Sequence, residues 1–356
     1  MHLPKRAWSY PAEQLAGRVL CNNRRDDLLP YEQYSLNRMM FTNKVGFTIG
    51  TGRCGTLFLY HVMEKEPDVA SSHERNPENE AFQRYCKWHR LPVDDEGFLA
   101  IKEREVRGDL EQRAYSFEAS PYLALSVREL HERFGAKFLF LIRRPDGVVT
   151  SFVHKGFYSK PYSVRNLDLA AGYQDQSPER FFTFFARISP RGEFFRAWNE
   201  MTPVGKVAWF WRAYNERTLE ALDQLPPESY RLVRIEDLDY PKYQEVSRFL
   251  GLDSKVSQGD FDVLRTSRPH AFWRKRTVDQ WSEQEVGEFE SQVAELAERF
   301  GYRHQVAHLV DEARAEKAES IRLGRIPPPK SAPRFWRARR ATAQWLRELA
   351  KSVDVS

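Results

Sequence analysis

The chain has 356 residues, 41% hydrophobic and 29% charged, with a net charge of +5 at pH 7. These are the proportions of an ordinary globular protein, and no apolar run reaches the ~18 residues a membrane-spanning helix needs, which excludes a transmembrane protein. The modest positive excess suits an anionic ligand such as a nucleotide, and no helix-turn-helix, zinc-finger or RNA-binding aromatic signature points to nucleic acid.

Residues 1–43 are polar and irregular and read as a surface extension. The chain opens Met-His-Leu-Pro-Lys-Arg with no apolar stretch behind it, so the expectation is a cytoplasmic protein without a signal peptide. The three cysteines, Cys21, Cys54 and Cys86, cannot all pair with one another, and no CxxC occurs; a reduced protein without structural zinc follows.

The main domain is read over 44–310. Val45 to Ile49 forms a short buried strand, Gly50-Thr-Gly-Arg-Cys-Gly-Thr56 a glycine-rich turn, and Leu57 to Met63 a helix with Pro67 just beyond its end. A second strand is expected at Tyr115 to Glu118. A third, Phe138 to Ile142, is five consecutive apolar residues, the pattern of a strand covered on both faces. Pro145 is placed to open a helix after it. A further strand spans Arg231 to Ile235, followed by a helix from about Lys242 to Leu250 that Gly251 stops. Alternating strands and helices predict an α/β fold of three layers, a P-loop-like arrangement with a central, mainly parallel sheet flanked by helices.

Residues 155–215 interrupt the alternation with Phe, Tyr, Trp and scattered prolines. The segment reads as a helical aromatic lid over the sheet's carboxyl edge, with core packing the plainer role for most of its aromatics. Residues 311–356 form a linker containing Pro327-Pro-Pro329 and a basic amphipathic helix over 334–350. Such a tail suits contact with a membrane surface, its own domain or a second subunit of a homodimer.

A strand, a glycine-rich turn and a helix together make a phosphate cradle, because backbone N–H groups and the positive end of the helix converge on one point. A nucleoside triphosphatase needs GxxxxGK[ST]. Gly50 and Gly55 have that spacing, but Thr56-Leu57 stands where Lys-[Ser/Thr] belongs, and the basic residue, Arg53, lies inside the turn. A dinucleotide site fits only by its glycines, since no acidic residue ends an evident second strand about twenty residues on. Scattered histidines without HExxH argue against zinc, and Cys54 lacks the context of a thiol nucleophile.

The turn resembles the 5′-phosphosulfate loop of sulfotransferases that use PAPS (3′-phosphoadenylyl sulfate). Bacterial members and the tyrosylprotein enzymes commonly carry Arg-Ser-Gly-Thr there, and Cys54 replaces the serine. The family holds the 3′-phosphate with an arginine ending a strand and a serine eight residues on; Arg143 and Ser151 have that spacing. Arg234-Ile-Glu-Asp-Leu238 with Phe249-Leu-Gly-Leu252 is similar to the family's "YEDL … FLGL" stretch. Arg274-Lys275-Arg276-Thr277, followed by Trp281, is similar to its basic loop over the nucleotide. The resemblance runs from about Val45 to Tyr302. It implies PAPS as donor, PAP as product, no metal, and donor contacts from Gly52, Arg53, Cys54, Gly55, Thr56, Leu57, Arg143, Ser151 and the basic loop. The acceptor would be a small molecule, glycan or lipid bearing a hydroxyl or amine.

Sulfuryl transfer asks for in-line alignment and for stabilisation of charge on the departing phosphate, a role Arg53 suits. A hydroxyl acceptor also needs a general base. Glu74 comes first, because tyrosylprotein sulfotransferases place a catalytic glutamate at the matching distance from the loop arginine. Glu118 comes second, since Phe-Glu-Ala-Ser-Pro-Tyr122 resembles the heparan-type "EKTPxY" segment with Ala119 in place of the lysine. His73, with a suitable intrinsic pKa, is third. A nucleotide-dependent kinase and a non-catalytic nucleotide-binding protein are the alternatives.

Overall fold

The computed structural model describes residues 40–159, 187–267 and 276–322. The N-terminal extension up to residue 39, lid residues 160–186, Arg274 and Lys275 of the basic loop, and the tail from residue 323 lie outside the described residues.

Five strands form one sheet: β1 (Val45–Ile49), β2 (Val69–His73), β3 (Tyr115–Ala119), β4 (Lys137–Ile142) and β5 (Tyr230–Arg234). Their order is β2-β3-β1-β4-β5 and every pairing is parallel. The crossovers carry α1 (Thr56–Met63), α2 (Pro77–His89), α3 (Asp95–Gln112), α4 (Val127–Phe134), α5 (Pro145–His154), α6 (Phe194–Glu200) and α7 (Pro203–Leu222). Among the described residues, four more helices follow β5: α8 (Tyr240–Leu250), α9 (Gln258–Ser267), α10 (Glu283–Arg299) and α11 (Val306–Arg322).

Alternation along the central strands divides the core in two. Phe138, Phe140 and Ile142 join Phe47 and Ile49 on one face, against Val127, Leu130 and Phe134 of α4, Val148 and Val149 of α5, and residues of α7 and α10. Leu139 and Leu141 join Phe117 on the other, against Leu59 and Val62 of α1, Val246 and Leu250 of α8, and Phe261 of α9. Both faces are covered by helices, as an all-parallel sheet requires. The fold is thus an α/β sandwich of three layers with a phosphate-type turn after its central strand.

Three features depart from the sequence reading. First, β2 and helices α2 and α3 fill the stretch between Pro67 and Tyr115, where no element was expected. The strand Val-Ala-Ser-Ser-His is half-exposed at the sheet edge, so it lacks the apolar pattern that marks β4. It also supplies the missing acidic strand end, because Glu74 follows it directly. The strand order still excludes the dinucleotide fold, in which β2 lies beside β1; here β3 separates them. Second, residues 203–215 of the expected lid belong to α7, where Trp209, Phe210, Trp211 and Tyr214 are buried in the core. Third, the boundary drawn at 310 falls inside α11, so residues 311–322 are helical rather than linker.

The local signals explain the element ends. Pro145 begins α5, Asp239 caps α8 by accepting a 2.9 Å bond from the Lys242 N–H, and Gly251 closes α8 in the left-handed conformation. Among the described residues no helix is long and apolar enough to cross a membrane.

Candidate active site

The site lies where β1 and β4 end side by side. Their parallel register sets Ile49 opposite Phe140, so the turns after the two strands meet although they are far apart in sequence. The turn after β1 winds through left-handed backbone at Gly52 (φ 78°), Arg53 (φ 57°) and Gly55 (φ 109°) before Thr56 begins α1. Gly55 is required on two grounds. Its φ disfavours any side chain, and a Cβ there would sit 2.7 Å from Ile235 Cδ1.

Two contacts tie the turns together. Arg53 Nε donates to Ser151 Oγ at 2.9 Å, and Arg143 Nη1 donates to the Arg53 carbonyl at 3.1 Å. Trp211 on α7 donates its indole N–H to the Arg143 carbonyl at 3.0 Å, fixing the end of β4 from the core side. The Arg143 side chain lies over the first turn of α5. A Cβ on Gly147 would come within 2.9 Å of its Nε, so the missing side chain makes room for the guanidinium. Burial, and next the neighbouring Arg143 charge, lower the Arg53 pKa. Two cations held together at the start of α1, whose first turn has no acidic residue, form an arrangement that a bound anion stabilises.

The other loop residues differ in what they offer. The Cys54 side chain is fully buried in the apolar cluster with Leu59 and Val62, and burial pushes its thiol up to about 11, so the backbone N–H is what this position can offer an anion. Thr56 Oγ1 and His73 Nε2 lie 3.3 Å apart, which sets the histidine beside the loop. Leu57 is half-buried in the first turn of α1. Arg276 is turned to Glu285, with Nη1 and Nη2 at 2.6 and 2.5 Å from its carboxylate oxygens, and Thr277 forms a capping box with Gln280.

The three base candidates occupy different surroundings. Glu74 follows β2 in left-handed backbone (φ 47°), and its N–H donates to the Ala119 carbonyl at 3.1 Å. Partial burial pushes its carboxyl pKa up, while Lys155, Arg84 and Arg53 pull it back. Glu74 therefore shares an electrostatic neighbourhood with the loop arginine. The Glu118 side chain is buried, and both its oxygens accept from Lys102 Nζ at 3.2 and 2.9 Å; its pKa is lowered, with Lys102 as the main charge acting against burial. His73 Nε2 lies 3.9 Å from Glu74 Oε1.

Sequence reasoning missed Lys155 and Arg84 as charges around Glu74, as well as the ring of Tyr122. Arg84 is buried with its guanidinium 4.8 Å from the centroid of that ring and 5.3 Å from that of Tyr214. The Ser-Pro-Tyr122 segment carried a signal for the tyrosine. Arg84 and Lys155 carried none, since each is a lone cation in a mixed aromatic and polar stretch that matches no motif.

No protein-family model matches the chain, and no curated protein sequence matches it either. Similar solved structures exist. A sulfotransferase domain from the olefin synthase of Synechococcus PCC 7002 is 15% identical, with 74% of this chain and 96% of that one covered and a TM-score of 0.39. A sulfotransferase domain from the curacin biosynthetic pathway is 14% identical, with 73% and 98% covered and a TM-score of 0.41. A sulfotransferase from Mycobacterium avium is 10% identical, with 77% and 81% covered and a TM-score of 0.44. Likenesses this low carry no argument, and the assignment of function rests on the geometry above.

Proposed function

We infer that the protein is a sulfotransferase that moves a sulfuryl group from PAPS to a hydroxyl or amine of a small-molecule, glycan or lipid acceptor and releases PAP. The observation that carries this reading is the direct contact between two anion-binding segments, Arg53 on Ser151 and Arg143 on Arg53. One segment suits a 5′-phosphosulfate and the other a 3′-phosphate, so their meeting suits a nucleotide that bears both.

In this reading the loop from Gly52 to Leu57 holds the 5′ group through its backbone, and Arg143 with Ser151 holds the 3′-phosphate. PAPS supplies the activated sulfuryl group. With a hydroxyl acceptor, Glu74 accepts the proton as the acceptor oxygen forms its bond to sulfur. The bond from sulfur to the bridging oxygen breaks, and its electron pair leaves with the phosphate of PAP. Arg53 faces the charge that grows there. Glu74 is favoured over Glu118 because Glu118 is buried and held by Lys102, whereas Glu74 is half-exposed and electrostatically coupled to Arg53.

Calorimetric titration of PAP tests the reading. Wild type is expected to bind, and Arg143→Ala to lose at least ~10-fold in affinity, the scale of one charge-assisted contact. No heat with PAP, alongside heat with ATP, would overturn the assignment and return the loop to a kinase.

A further inference from the structure

A buried ion cluster lies beside the turn that carries Glu74. Lys102 on α3 is fully buried, and its Nζ contacts Glu80 Oε1 at 2.5 Å, Glu118 Oε2 at 2.9 Å and Glu105 Oε2 at 2.9 Å. Three carboxylates this close are the donor set of a cation, and here the cation is the lysine ammonium. Burying so much charge is unfavourable unless every group is paired, so the cluster needs an explanation beyond stability.

The explanation lies in what the same carboxylates hold. Glu118 Oε1 accepts from the Arg75 N–H at 3.2 Å, and Glu80 Oε1 accepts from the Asn76 N–H at 3.1 Å. With the Glu74 N–H on the Ala119 carbonyl, three consecutive backbone N–H groups are tied down at this turn. Ser120 Oγ donates to Glu80 Oε2 at 2.5 Å, which anchors the cluster to the end of β3. The Arg75 side chain adds bonds to Ser72 Oγ at 2.8 Å, Asp109 Oδ2 at 2.7 Å and the Glu105 carbonyl at 3.2 Å. Glu74 sits at the start of this clamp in a left-handed conformation that a glutamate adopts only when its surroundings impose it.

We propose that Lys102 is a positioning residue for Glu74: by gathering Glu80 and Glu118 it fixes the turn that aims the Glu74 carboxylate at the phosphate loop. Glu118 is then part of this mounting rather than a base. The inference rests on the assignment of Glu74 as the base in sulfuryl transfer.

The test compares wild type with Lys102→Met and with the near-isosteric Glu118→Gln, which keeps the experiment informative if the lysine variant does not fold. Hydrogen exchange is read at the amides of residues 74–76 and at β4, the Glu74 carboxyl is titrated by carbon-13 NMR, and PAP is titrated calorimetrically. The expected result is exchange at least ~10-fold faster at 74–76 with β4 protection unchanged, since local opening is separable from global unfolding. The Glu74 titration moves down toward the ordinary carboxylate value as the turn opens to water, and PAP affinity stays within about two-fold. Transfer from labelled PAPS falls by about 10² in kcat with KM for PAPS unchanged, the scale of a misplaced catalytic group. Exchange at 74–76 and a Glu74 titration equal to wild type in the variants would overturn the proposal. Absence of PAP binding by wild type would instead sink the sulfotransferase reading, and the exchange and titration would still decide the clamp.

Discussion

Arg53 and Glu74 share a property that neither's chemistry requires. Both are non-glycine residues in left-handed backbone, with φ of 57° and 47°. Such a conformation costs on the order of 1–3 kcal/mol and persists where the surroundings over-determine it, often at sites of function. Replacement by a residue that tolerates this backbone separates strain from chemistry. Glu74→Asn is expected to raise the thermal midpoint while abolishing transfer to a hydroxyl acceptor, as read by thermal unfolding and labelled PAPS; a variant both less stable and fully active contradicts this. The raised Glu74 pKa sets a second expectation. The base works only when deprotonated, so the transfer rate falls as pH drops through the folded pKa, and the acid limb lies above the ordinary value near 4.5. A limb at or below that value removes Glu74 from the role. At this scale residue type and spacing singled out Arg53, Arg143 and Ser151, which the structure brings into contact. The sequence was silent on Lys102, because a buried lysine in a helix of charged residues looks like a solvated one.

Among the elements, legibility followed burial. The five apolar residues of β4 announced a strand, and Pro145 and Gly251 announced helix ends, because each signal is local. Strand β2 carries no such signal: it lies at the edge of the sheet, and of its five residues only Val69 is buried in the core. The aromatic segment left two roles open, core packing and a lid. Helix α7 is aromatic because it packs against β4's face of the core, a demand that composition alone does not distinguish from ligand binding. The turn after β1 yields a sharp expectation at this scale. Gly55→Ala brings a methyl against Ile235 and keeps a φ of 109°, so stability should fall by about 1–3 kcal/mol in a denaturant titration, with PAP binding weakened in parallel. An unchanged midpoint would mean that the turn can rearrange.

For the whole molecule, the buried cluster makes stability depend on pH. Burial, and next the Glu118 charge, push the Glu80 carboxyl up to about 8. A carboxyl whose folded pKa is raised binds its proton more tightly in the folded state. Its contribution is therefore complete below the unfolded value near 4.5 and is lost as pH rises through about 8. Glu80→Gln mimics the protonated form, so the decline in stability from pH 5 to 9 should be shallower in the variant than in wild type, measured by urea midpoints at each pH. Equal slopes would show that Glu80 is ionised throughout.

The all-parallel sheet has a consequence in time. Among the described residues no two paired strands are joined by a hairpin, and the contacts that unite the turns after β1 and β4 close loops of 98 and 90 residues. Contacts so distant along the chain form late and slow folding. A nascent chain released only as far as residue 140 would already carry β1, its turn and α1, yet it would lack Arg143 and Ser151. If the proposed nucleotide site is right, its affinity is acquired in one late step, when β4 docks beside β1.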